Sequence, residues 1–194
     1  MCSSGFLRGR RSTRNLSRSR ARDGLRAESS RAAVRSGTEH EADTREPVLE
    51  TMGDDSGMKS TLISVRTGHS DSVVDITPQC AAFVRAAGGD GLLHIFVPHA
   101  TAGVAVMELG ARSDEDLLAA LRDLLPADDR WRHAHGSRGH GRSHVMPALI
   151  APYATIPVLD GSLALGTWQS IALVDVNVDN PDRQVRLSFL TDTG

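Results

Sequence analysis

The sequence predicts an α+β fold for residues 58–194, a compact single domain of mixed, mostly antiparallel sheet with interspersed helices. Two observations carry this. Nearly all the apolar periodicity of the chain falls after residue 57, as short alternating or β-branched runs of strand length. Two longer stretches follow the helical period instead, each between a start and a stop signal. No internal repeat is visible.

In chain order, Thr61–Thr67 alternates as a strand does, and the β-branched Ser72–Ile76 is expected to continue that sheet. Thr77-Pro78 predicts a helix start, with threonine as cap and proline at the first helical position. Ala81, Ala82, Val84 and Arg85 carry that helix to Gly88-Gly89. Gly91–Pro98 is expected to be a buried strand, and Gly103–Leu109 the next one. Ser113 is expected to cap a second helix, with Asp114, Glu115 and Asp116 set favourably against its dipole. Leu117, Leu118, Leu121, Leu124 and Leu125 give it an apolar face, and Pro126 closes it. A loop rich in Gly, His and Arg follows over residues 127–143, then a short helical segment, Val145–Ile150. Thr155–Val158 and Ser162–Leu165 form a hairpin about Asp160-Gly161. Trp168–Val178 and Gln184–Leu190 supply the last two strands.

Residues 1–57 read differently. Arginine and serine crowd the segment to Gly37, and acids crowd Thr38–Asp55, with no 2.0 or 3.6 period, so no fold of its own is expected there. Four readings of this tail stand together: a solvated tail, an organellar transit peptide, a basic arm for nucleic acid, and an over-extended start. For the last, Lys59 is the only lysine among many arginines, a bias of GC-rich coding sequence, and Met58 opens a clean segment. The domain itself is mildly acidic, which is a poor basis for gripping nucleic acid. Two cysteines, Cys2 and Cys80, exclude a disulfide framework and fit the reducing cytoplasm. No apolar run approaches the ~20 residues of a membrane-spanning helix, so no membrane association is expected.

The chemistry concentrates in histidine. His133, His135, His140 and His144 share one loop, and His69, His94 and His99 lie elsewhere in the domain. His99 ends a strand and leads into the small-residue turn Ala100-Thr101-Ala102-Gly103, where a ligand or anion could approach backbone amides. His133-x-His135 points one way if extended. His140 and His144 would share a face if helical, but Gly139 and Gly141 argue against a helix. Imidazoles from separate elements with one position left open are the usual layout of a catalytic zinc site. Solvated or structurally bonded loop histidines are the plainer alternative. Glu108, read as late in its strand, is a candidate base or ligand against the commoner outward-facing carboxylate. Asp75 has similar status. Trp168-Gln169 could line a pocket, or the tryptophan could be core or subunit-interface packing.

Taken together, His99-Ala-Thr-Ala-Gly103, the Trp131-Arg132-His133 step, His144 and Leu163-Ala-Leu-Gly-Thr-Trp-Gln169 resemble the YjbQ-like family, whose members are often labelled secondary thiamine-phosphate synthases. The resemblance runs from about Met58 to Leu190. It implies a small α+β domain, a homotrimer and a site at the subunit interface. Carried over residue by residue, it makes His99, His133 and His144 the metal ligands, with a divalent ion such as zinc. It makes His99, Glu108 and His144 catalytic, and Thr101, Gly103, Trp168 and Gln169 substrate-binding. It implies a small phosphorylated molecule as ligand and weak thiamine-phosphate synthase activity. Three positions depart from the family pattern. Ala100 replaces a hydroxyl, Met107 replaces an Asn, and His140-Gly-Arg-Ser-His144 stands where the family has N-A-D-A-H. The lost Asn and Asp leave a second reading open, a non-catalytic binding or assembly protein on the same scaffold. His140 is a candidate substitute ligand, and His135 has no assigned role.

Overall fold

The computed structural model describes residues 57–191. Readings of the segment before them, including its tail functions, lie outside the described residues. Among these residues, eight strands form two antiparallel sheets. In the larger the order is β1 (Met58–Arg66), β8 (Asp182–Thr191), β3 (Gly91–Phe96), β5 (Tyr153–Leu159) and β6 (Ser162–Leu163). The smaller is β2 (Ser72–Asp75), β7 (Ser170–Asp175) and β4 (Ala102–Met107).

Alternation dictates what each sheet buries. In β1, β3, β5 and β8 the in-phase residues Ile63, Val65, Leu93, Ile95, Ile156, Val158, Val185, Leu187 and Phe189 enter one core. Ala102, Val104, Ile171 and Leu173 meet them from the smaller sheet. Each of the Val, Leu, Ile and Phe side chains, fully buried, stabilises the fold by about 1.5–3 kcal/mol. The smaller sheet is covered on its other face too, where Val174 and Val176 pack with Leu121, Leu125 and Met146. This explains why β7 is buried almost throughout. Among the described residues the larger sheet has one covered face only, and its outward residues Leu62, Leu92, Phe96, Tyr153 and Leu190 are exposed. The expectation of a buried strand at Gly91–Pro98 therefore holds for one face of β3.

Where β2 follows β1 the chain changes sheet, so Ser72–Asp75 does not continue the first sheet as expected. It changes again between β3 and β4, and between β7 and β8. These crossings meet around a buried ion pair. Asp175, at the end of β7, receives Arg183 Nε (2.6 Å) and Nη2 (3.0 Å) from the start of β8, and both side chains are 1 % exposed. Thr67 Oγ1 donates to the same carboxylate at 2.7 Å, and the backbone N–H of Asn177 donates to its other oxygen at 2.9 Å. Every carboxylate oxygen is thus occupied, which is the condition under which a buried charge pair is tolerated.

Helix α1 (Thr77–Ala87) lays Cys80, Phe83 and Val84 into the core, and burial pushes the Cys80 thiol up to about 12. Thr77 is not its cap. Its own N–H donates to Asp75 (2.8 Å), while its hydroxyl accepts the N–H of Ile171 (2.8 Å), tying the helix to β7. Ser113 likewise lies inside α2 (Ser113–Leu124). The cap is Arg112, in the left-handed region at φ 68° and paired with Glu115. The turn between β5 and β6 is as read, with Asp160 and Gly161 both at positive φ. After β6 the chain runs to Gln169 without strand structure, so β7 starts two residues later than expected.

Candidate metal centre

The loop after α2 is pinned at two points, one ahead of its histidines and one among them. Trp131 Nε1 donates to the carbonyl of Pro126 (2.9 Å) and its ring packs into the cluster beneath α2. Further on, the buried Arg142 pairs with Asp71, which also accepts Arg122 Nε from α2 (3.0 Å). Between these anchors Gly139 takes φ 74° and starts a single helical turn, α3 (His140–Ser143), followed by a 3-10 turn at Met146–Ala148. The two glycines were expected to prevent helix here. Instead each meets a geometric demand, Gly139 through its left-handed backbone and Gly141 through close packing. A Cβ on Gly141 would lie 2.5 Å from Trp131 Cβ and 2.6 Å from the carbonyl oxygen of His133.

One turn of helix is enough to place His140 and His144 on the same side. Their Nε2 atoms face each other at 2.9 Å. His133 and His135 approach from the extended segment across the turn. Ring centroids are 4.1 Å apart for His133–His135 and for His133–His144, and 4.7 Å for His135–His140. One nitrogen from each of the four rings lies within 4.8 Å of the others. Partial desolvation, then repulsion from neighbouring imidazoles, lowers the pKa of His133 and His144, so both are neutral near pH 7 and available as ligands.

The fifth participant comes from the β7–β8 crossing. Asp179 Oδ2 accepts His140 Nδ1–H at 2.5 Å and the Ser137 N–H at 3.1 Å. The Ser137 bond first, then His140, holds the Asp179 carboxyl below the usual range. A carboxylate on the outer nitrogen leaves Nε2 of His140 bare and directed inward. An open cavity of about 410 Å³ adjoins the rings, lined also by Trp131, Ser137, Asp128, Asp129 and Arg138.

The structure therefore brings His133 and His144 together, with His135 and His140, and does not bring His99 to them within this chain. His99 sits at the β3–β4 crossing. Its Nε2 accepts the N–H of Gln184 (3.1 Å), and Arg183 Nη1 lies 3.5 Å from Nδ1. Burial first, and then Arg183, lowers its pKa. Thr101 and Gly103 are buried beside it, and a Cβ on Gly103 would lie 2.3 Å from the carbonyl oxygen of Ile150, so packing alone requires glycine there. Glu108 is exposed just past the end of β4, not within the strand. Trp168 is 73 % exposed and so is not core, and Gln169 folds its side chain back to accept the Gly166 N–H at 2.8 Å. Neither lines the cavity beside the imidazoles. His94 and Asp75 are also apart from the four rings: His94 bonds Thr155 on the open sheet face, and Asp75 serves the start of α1.

Asp179 carried no signal in the sequence, being 39 residues from its partner. Arg183 did carry one, because it falls in phase with Val185, Leu187 and Phe189 and so had to point inward.

The family described as UPF0047 protein YjbQ-like matches residues 61–192. The UPF0047 protein Rv2556c of Mycobacterium tuberculosis H37Rv is 61% identical over 133 residues, covering 69% of this chain and 98% of that protein. A UPF0047 protein of Methanothermobacter thermautotrophicus is 30% identical over 128 residues, or 65% of this chain and 87% of its own. Among solved structures, a YbjQ-like protein from Sulfolobus solfataricus P2 superposes with a TM-score of 0.64 at 28% identity, covering 70% of this chain and 99% of that one. The hypothetical protein APE1520 of Aeropyrum pernix K1 gives 0.62 at 34% identity, covering 69% and 98%.

Proposed function

Because the chain belongs to the YjbQ-like UPF0047 family, we propose that it is a metal-binding protein whose imidazole quartet holds a divalent ion of the zinc class beside a small phosphorylated ligand. The observation that carries this is the convergence of His133, His135, His140 and His144 with a carboxylate behind one of them. Nitrogen-only donors suit zinc and its transition-metal neighbours and are poor for magnesium or calcium. Such an ion supplies positive charge against phosphate oxygens and stabilises charge that develops on a leaving group. The protein's share is to keep His133 and His144 neutral, aim the four rings, and wall the cavity with Trp131.

The finer reading is a transferase of the thiamine-phosphate synthase kind, working weakly. A thiazole-phosphate nitrogen displaces pyrophosphate from a pyrimidine diphosphate, with the phosphate charge held by cation and imidazoles. In this reading the active form is a cytoplasmic homotrimer. A nearly bare Trp168 on a tight loop and the open face of the larger sheet favour a neighbouring copy against them.

One observation favours the second reading, a binding or assembly protein. If all four imidazoles held the ion, a tetrahedral shell would be complete with no position open, as in closed structural sites. Metal analysis of purified protein and of His133→Ala, His135→Ala and His144→Ala separates the cases. Zinc in the native protein, lost in His133→Ala and His144→Ala but kept in His135→Ala, supports a three-ligand catalytic site. Loss in all three supports the closed site. No zinc in the native protein refutes the metal. Rescue of a thiamine-requiring strain tests the transferase, and light scattering tests the trimer.

A further inference from the structure

Resting on that metal reading, we propose that Asp179 is a positioning residue for the quartet: its carboxylate fixes His140 in the tautomer that turns Nε2 toward the other rings and makes that nitrogen a stronger donor. Nδ1 of an imidazole that donates to a carboxylate cannot itself serve as ligand, so the 2.5 Å bond decides which atom faces inward. The same oxygen takes the Ser137 N–H, which fastens the turn preceding α3.

Two further features are built around this contact. Gly136, at φ 81°, has no room for a side chain, because a Cβ would stand 2.6 Å from His140 Nδ1 and 2.7 Å from Asp179 Oδ2. The backbone that carries this carboxylate is also held from behind by successive Asx bonds. The Asp179 N–H donates to Asn177 Oδ1 (2.8 Å), and the Asn177 N–H donates to Asp175 Oδ1 (2.9 Å), which Arg183 locks in the core. A continuous set of hydrogen bonds therefore runs from the buried ion pair to the metal-facing ring. Asp179 reaches the loop from a distant part of the chain, and it supplies the quartet with a carboxylate that residues 140–144 lack.

The test compares Asp179→Asn with the native full-length chain, stripped by chelator and titrated with zinc against a chromogenic competitor. Asparagine keeps the size and can still accept both N–H groups through its oxygen, but it lacks the charge. The expected result is a loss of roughly 10- to 100-fold in zinc affinity. A shifted visible absorption of the cobalt-loaded variant and an unchanged melting temperature of the stripped protein should accompany it. Zinc binding within about twofold of native in Asp179→Asn overturns the role. So does an affinity loss matched by an equal collapse of the stripped protein's stability, which would assign Asp179 to loop-holding alone. A native chain that binds no zinc removes the metal reading itself, and this role with it, so the two failures are distinguishable.

Discussion

Replacing Gly141 with alanine probes how tightly the histidine loop is built. In an ordinary helix that change is favourable, because alanine restricts the unfolded chain and suits helical backbone. Here the new methyl would stand 2.5 Å from Trp131 Cβ and 2.6 Å from the His133 carbonyl oxygen, where ordinary contact begins at 3.4 Å. Either α3 or the Trp131–His133 segment must move by roughly 0.8 Å, and overpacking of this kind destabilises by about 1–3 kcal/mol. Set against the helix gain, a net loss of about 1–2 kcal/mol is expected, or a melting temperature roughly 4–8 °C lower for a domain of this size. The displaced atoms belong to a ring-bearing residue, so zinc affinity should fall with stability. Urea unfolding followed by tryptophan fluorescence reads the first effect, and the competitor titration reads the second. A variant with native stability and native zinc affinity would refute the close packing on which this reasoning stands.

Thr61 faces the core with a hydroxyl that has no partner among the described residues, so Thr61→Val should raise stability by about 1 kcal/mol in urea unfolding; an unchanged or lower midpoint would show that the hydroxyl is satisfied. Arg183→Met strands the Asp175 charge in the interior and should destabilise by about 3–5 kcal/mol; a loss under about 1 kcal/mol in the same assay would contradict the pairing. His99 has a folded-state pKa below the ordinary 6.5. In the window below that value the unfolded chain binds more protons, so the His99 contribution is complete above 6.5 and lost as pH falls toward the depressed folded value. Urea midpoints at neutral and mildly acid pH should therefore fall less in His99→Gln than in the native chain, and equal slopes would refute the assignment.

Strand positions were legible because burial on one face leaves alternation in the sequence, as in Ile63-x-Val65 and Val185-x-Leu187-x-Phe189. Sheet membership was not. Both sheets bury apolar residues, and nothing local in Ser72–Asp75 says that the chain has crossed from one to the other. The helix starts were placed to within a residue, but the capping residue was misassigned each time. Thr77 spends its hydroxyl on a strand N–H that only the tertiary fold brings near, and Arg112 is held by a backbone angle that its residue type does not advertise. The same limit applied to the site. Histidine crowding marked the loop, and the resemblance picked out His133 and His144. The glycines pointed away from the helical turn that unites His140 with His144, because steric need and helix-breaking carry the same letter. Asp179 belongs to another crossing altogether, so its role exists only once the sheets have closed.

The pairing of β1 with β8 has a consequence for biosynthesis. Met58 lies opposite Leu190, and β8 separates β1 from β3 in the larger sheet. Until β8 is available, β1 and β3 each present an unpaired edge along the side that it fills. A nascent chain truncated before Asp182 also lacks Arg183, and Asp175 would face a forming interior without its counter-charge. Completion of the larger sheet is thereby deferred until β8 has been made, and until then its unpaired strand edges are the surface most in need of shielding.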